Sequence, residues 1–192
     1  MKIYELVSDF DRVRHLTFKD LQATVTFTTD YFVFQTLPRE AWKPPTIELM
    51  PEDQGLENPL PDYQELGSVA VFSRRAVISL NEVLNGGELL PLIFEGTEGH
   101  FFAYDPRHLA EALDESRSEL KRFSNGGVMK VLRYEFRPDK LKDLGIFGIP
   151  QQRGRIYVTD EFVRRVNEAR LTGFDFIELW SDEKPTSGEQ AA

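Results

Sequence analysis

The chemistry open to this chain is limited first by an absence: among its 192 residues there is no cysteine. Thiolate nucleophiles, disulfide frameworks, thiolate zinc sites and iron–sulfur ligation are excluded together. The three histidines, His15, His100 and His108, fall at neither H-x-x-x-H nor H-E-x-x-H spacing, so a metal site would need carboxylates from distant parts of the chain. His108 stands in the first turn of an expected helix, a place for an exposed or capping imidazole. Ser73 is followed by Arg74 and Arg75 and sits in neither a G-x-S-x-G elbow nor an S-x-x-K motif, so it reads as a helix cap. Gly86–Gly87, Gly126–Gly127 and Gly145-x-x-Gly148 match no dinucleotide or phosphate loop, and turn geometry accounts for each. No catalytic, cofactor-binding or metal-binding residue is assigned, and no cofactor is expected.

Charge is more informative than motif. Asp and Glu number 32 against 23 Lys and Arg, a formal net charge of −9. So many carboxylates make any proposed acid–base pair arbitrary. A field of this sign repels nucleic acid and anionic lipid and suits a basic protein partner. One stretch runs the other way: Arg117, Lys121, Arg122, Lys130, Arg133, Arg137, Lys140 and Lys142, with Phe123, Tyr134 and Phe136 interleaved. Contact with RNA is one reading of it; the other is a set of strand charges alternating with core positions and diluted by Glu119, Glu135 and Asp139.

The elements that position these residues follow from periodicity and punctuation. Strands are expected at Lys2–Val7, Tyr31–Phe34 and Thr46–Met50. Six of the eleven prolines fall between Pro38 and Pro61, so an irregular surface loop is expected there. From Pro44 to Gly67 it carries Glu48, Glu52, Asp53, Glu57, Asp62 and Glu65 without a Lys or Arg. Ser73 caps a helix through Leu84, with Ala76, Val77, Leu80, Val83 and Leu84 at helical spacing. Glu88–Phe94 and His100–Tyr104 form a hairpin around Glu95–Gly99, and Asp105–Pro106 starts a short helix reaching Leu113. After the Asn125–Gly127 turn, Val128, Lys130, Leu132, Tyr134 and Phe136 share one face of a strand. Ile146–Ile149 is a further strand, and Ile156–Val158 leads into Thr159–Asp160, the cap of a helix whose Phe162, Val163 and Val166 face the core. Phe174–Trp180 is the last strand, with Phe174 and Phe176 on one face and Ile177 and Leu179 on the other. The mixture lacks regular βαβ alternation, which predicts a single α+β domain with a mainly antiparallel mixed sheet packed against a few short helices. The N-terminus reaches Glu5 and Asp9 before any signal-peptide core forms, and no run is long enough to span a bilayer, so the cytoplasm is the expected compartment.

Five blocks in the second half of the chain carry a resemblance: SRRAVISLNEVLNGGELLPL (73–92), ALDESRSELKRFSNGGVM (112–129), IFGIP (146–150), IYVTDEFVRRV (156–166) and LTGFDFIELW (171–180). Their succession resembles a bacterial immunity-protein family first described from a myxobacterial example and long catalogued as a domain of unknown function. On that basis residues 1–180 are one domain, with 1–68 an N-terminal part carrying the acidic loop 44–67, 69–180 the family-like core, and 181–192 a disordered tail. The resemblance implies a protein encoded beside a polymorphic toxin that protects the producing cell and its kin by binding the toxin domain. It brings no catalytic residues with it.

The expected partner is therefore a cognate protein toxin, a basic nuclease-type domain fitting the charge best, with no nucleic acid or membrane involved and no oligomeric state specified. The expected contact region is Glu52–Glu65, where Glu52, Asp53, Glu57, Asp62 and Glu65 supply charge and Leu56, Leu60 and Tyr63 apolar anchors. Two alternatives stay open: a small hydrolase or transferase with an unrecognised carboxylate site in a deep pocket, and an RNA-binding module using Arg117–Lys142.

Overall fold

A computed structural model of the chain describes residues 1–106 and 109–183, so His108 and most of the 181–192 tail lie outside the described residues. In chain order the elements are β1 (Lys2–Ser8), β2 (Leu16–Phe18), α1 (Leu21–Thr28), β3 (Thr46–Leu49), β4 (Tyr63–Leu66), β5 (Val69–Ser73) and α2 (Arg74–Ser79). They continue with β6 (Glu88–Phe94), β7 (Thr97–Asp105), β8 (Glu119–Arg122), β9 (Val128–Arg133), β10 (Ile146–Phe147), β11 (Tyr157–Thr159), α3 (Asp160–Glu168) and β12 (Phe174–Ser181). The class is α+β, as the sequence predicts, with the strands distributed over more than one sheet. One has four strands in the order β10-β11-β1-β12, another six in the order β2-β3-β6-β7-β5-β4, and β8 and β9 form a separate hairpin. Every pairing is antiparallel except β3 with β6.

Period-2 alternation lets both main sheets bury both faces. In the four-stranded sheet, Leu6, Ile146 and Val158 face a core shared with α2, α3 and the six-stranded sheet, while Ile3, Phe147 and Tyr157 face a core closed by the β8–β9 hairpin. In β5, Ala70 and Phe72 join the shared core, and Val69 and Val71 turn the other way, into an interior with Leu16, Ile47, Leu92 and Phe101. Tyr31, Phe32, Phe27 and Trp42 close that interior with four mutually packed rings.

Several expectations hold. Ser73 caps α2 by accepting from the Ala76 N–H, and Ala76 and Leu80 are fully buried, although the helix stops at Ser79 rather than at Leu84. The expected β6–β7 hairpin forms, but its turn is Glu95–Gly96 rather than Glu95–Gly99 and β7 starts at Thr97 rather than His100; the φ angles of 50° and 76° are those of a tight two-residue turn. Phe162 and Val166 of α3 are buried.

Others are corrected. Tyr31–Phe34 is not a strand: the chain leaves α1 through a wide turn, Thr29–Val33, in which the Phe34 N–H reaches the Thr29 carbonyl five residues back. Aromatic and β-branched residues there serve ring packing rather than a ladder. No helix follows Asp105–Pro106 among the described residues, because the backbone of that segment bonds sideways. Ala110 donates to the Gly148 carbonyl, Arg137 donates to Ala112, and Leu113 forms a bridge with Phe136. The expected face of Val128–Phe136 also changes, since β9 carries an extra residue at Met129 and another at Leu132. These bulges turn Val131 inward and leave Leu132 exposed, before Tyr134 and Phe136 point to the core again.

Candidate partner interface

Between Pro51 and Pro59 every residue except Asp53 is exposed. Asp53 explains how such a segment keeps its place. Its Oδ2 accepts from the His15 backbone N–H at 2.5 Å and lies 2.6 Å from His15 Nδ1, while the other ring nitrogen is 3.2 Å from the Phe10 carbonyl. The Met50 N–H donates to the His15 carbonyl, and Asp53 donates back to Met50. Hydrogen bonds from His15, the backbone N–H foremost, hold the Asp53 carboxyl below its ordinary pKa. Around this node Phe10, Met50 and Leu56 are exposed apolar side chains, with Phe10 tilted against the His15 ring.

Asp62 is a second node and is also buried. Its Oδ1 accepts from Ser73 Oγ at 2.7 Å, and its Oδ2 accepts from Arg75 at 2.8 Å and the Thr172 N–H at 3.0 Å. Arg75 goes on to donate to the Ala169 and Arg170 carbonyls, so one carboxylate ties β4, the start of α2 and the α3–β12 turn together. Gly173 is required beside it: at φ +84°, an added Cβ would lie 2.2 Å from the Tyr63 carbonyl. Tyr63 is 1% exposed and stacks on Phe174. Glu65 is half-buried, and burial, followed by the neighbouring Glu5 charge, raises its pKa. Of the six residues expected to meet a partner, Asp53, Asp62 and Tyr63 thus hold the loop and the seam, Glu65 faces Glu5 and Arg155, and Glu52 and Glu57 stand exposed.

The groove beside α3 offers little acid–base chemistry. About 430 Å³ in volume, it is lined by Glu82, Asp160, Glu161 and Arg165 among others, but Glu161 is bound by Arg164 and Arg165 and held down at about 2. Glu82 pairs with Arg165 as well. Glu161 therefore stays ionised, and both carboxylates already have guanidinium partners, unlike a general acid poised near neutrality. Glu65, a half-buried carboxyl pushed upward, lines a cavity of about 20 Å³, room for on the order of one water. Among the described residues no group of three or more His, Asp or Glu could hold a metal ion. A serine-x-x-lysine spacing does occur at Ser118–Lys121, but Ser118 Oγ is bonded to the Glu135 backbone and Lys121 lies three residues on along a strand, on the opposite face. Another, Ser181–Lys184, runs beyond the described residues.

From the sequence alone Asp53 and Asp62 read as surface charge, and nothing marks His15 and Gln64 as partners. The Gln64 side chain accepts from the Leu16 N–H at 2.8 Å and donates to the Leu16 carbonyl at 2.9 Å. No local pattern signals bonds across that separation. No helix among the described residues is long and apolar enough to cross a membrane.

No curated protein matches the chain. A family model does match from Phe94 onward, so the Ser73–Leu92 block falls outside it and the β8–β9 hairpin, α3 and β12 fall within. Over residues 94–180, a little under half of its length, the chain matches the immunity protein family Imm11.

Proposed function

We propose that this protein neutralises a cognate bacterial toxin domain by protein–protein contact, without catalysis, inside the cell that produces both. The match of residues 94–180 to an immunity protein family carries this reading. The ion-paired carboxylates of the groove beside α3, Glu82 and Glu161, support its non-catalytic part. The contact face is the exposed acidic and apolar apron around the His15–Asp53 node, with Glu52 and Glu57 for charge and Phe10, Met50 and Leu56 for apolar area. Buried Asp53 and Asp62 keep that apron in a fixed shape, which lowers the ordering cost of binding. A basic toxin, such as a nuclease whose groove takes phosphates, fits this face.

The test is co-expression with the C-terminal domain encoded by the adjacent open reading frame. Rescue of growth is expected, and Glu52→Lys/Glu57→Lys should weaken it. Undiminished killing in the presence of the folded chain would count against the reading.

A further inference from the structure

The β8–β9 hairpin presents a surface of the opposite sign. Its inward pair, Leu120 and Val131, packs on the core beneath, so the adjacent pair in the register, Lys121 opposite Lys130, points outward. Two ammonium groups directly across a ladder repel each other and weaken the pairing. Neither Lys121 nor Lys130 has a carboxylate partner among the described residues. The bulges on β9 fall on either side of this pair, and they lift Met129 and Leu132 out of the ladder, 43% and 53% exposed. Bulges of this kind re-aim side chains. Beside the hairpin runs an open groove of about 530 Å³, lined by Lys121, Met129 and Lys130 on one side and by Arg153 and Arg155 on the other. Arg155 is paired with Glu5, whereas Arg153 bonds, among the described residues, a neutral amide, that of Gln35.

We infer that this groove binds an acidic segment of a partner protein that also carries apolar side chains, with Lys121, Lys130 and Arg153 meeting its carboxylates, Met129 its apolar groups within the groove, and exposed Leu132, outside the lining, extending the apolar contact along β9. The inference deepens the immunity reading and rests on it for the identity of the partner. Charge complementarity selects the occupant. Three cations without carboxylate partners gather on a chain of net charge −9, so the sign is local to the groove. The flanking apolar residues suit a peptide better than a phosphate backbone, and the bulk charge repels a long polyanion. The surface lies within the stretch matched by the family model, whereas the acidic apron lies outside it.

The probe is a short fluorescein-labelled peptide of Asp, Glu, Leu and Phe, followed by anisotropy at low ionic strength against the full chain. Saturable binding that weakens as salt is added is expected. Lys130→Glu places opposite charges across the ladder, so it should leave the thermal midpoint unchanged or raised while weakening the peptide at least about tenfold. Glu52→Lys/Glu57→Lys should bind the peptide no more weakly than the unaltered chain. Absence of saturable binding, binding indifferent to Lys130→Glu, or tighter binding of a single-stranded oligonucleotide of equal length would each overturn the inference. Toxin rescue is scored separately with the unaltered chain, so failure here leaves that result standing.

Discussion

Gln64 completes the backbone of Leu16. The six-stranded sheet runs from β2 at one edge to β4 at the other, and these edges come together without a ladder between them. The amide of Gln64, itself 5% exposed, supplies the missing donor and acceptor at 2.9 and 2.8 Å. A curled sheet is closed by one side chain, and the Leu16, Val71 and Phe101 interior is sealed behind it.

Replacement of Gln64 by Ala should therefore cost about 2–6 kcal/mol, roughly 1–3 for each Leu16 backbone group left buried and unpaired. The midpoint of urea unfolding measures this. A change below about 0.5 kcal/mol, the usual size for surface substitutions, would mean that the edges are held by something else.

Asp62→Ala should destabilise by about 2–4 kcal/mol, since the Thr172 N–H and the Ser73 hydroxyl lose a buried acceptor. Arg75 is more than half exposed, so its charge contributes the smaller share. Asp62→Asn, which keeps one acceptor, should cost about half as much. Equal losses for the two variants in chemical denaturation would assign the effect to charge instead.

Two carboxyls give opposite pH dependence. The folded state lowers the pKa of Asp53 from 3.8 through hydrogen bonds from His15, so its contribution is present above that value and is lost as pH falls through the folded value. Glu65 is raised from 4.5 by burial and Glu5, so its contribution is full below 4.5 and fades as pH climbs through the folded value. Unfolding midpoints from pH 3 to 7 should show a shallower acid-side loss for Asp53→Asn, and a gain confined to the neutral side for Glu65→Gln. Parallel curves for all three proteins would contradict these assignments.

Much of the fold is legible in the sequence wherever the cause is local. Ser73, the hairpin after Phe94 and the spacing of Phe162 and Val166 announce their elements because caps, turns and helical faces depend on near neighbours. The α1 segment has a cap in Asp20, whose carboxylate accepts from the Ala23 N–H, but Thr24, Val25, Thr26 and Thr28 are weak helix formers and hide it. Tyr31–Phe34 reads as a strand for the same reason, because β-branched and aromatic residues serve ring packing and ladders alike. The bulges at Met129 and Leu132 shift side-chain parity without any mark in residue type. The candidate interface was the least legible part. Asp53 and Asp62 look like surface charge until partners 38 and 110 residues away, His15 and Thr172, are brought against them.

Under the proposed function this chain inhibits by occupying a toxin surface and does no chemistry on it. The decisive experiment is titration of the purified chain into a fixed amount of active cognate toxin domain. Residual activity should fall linearly and vanish at one equivalent, with full activity recovered when the complex is dissociated and the chain removed. Complete and lasting inactivation by a small fraction of an equivalent would show turnover and contradict it.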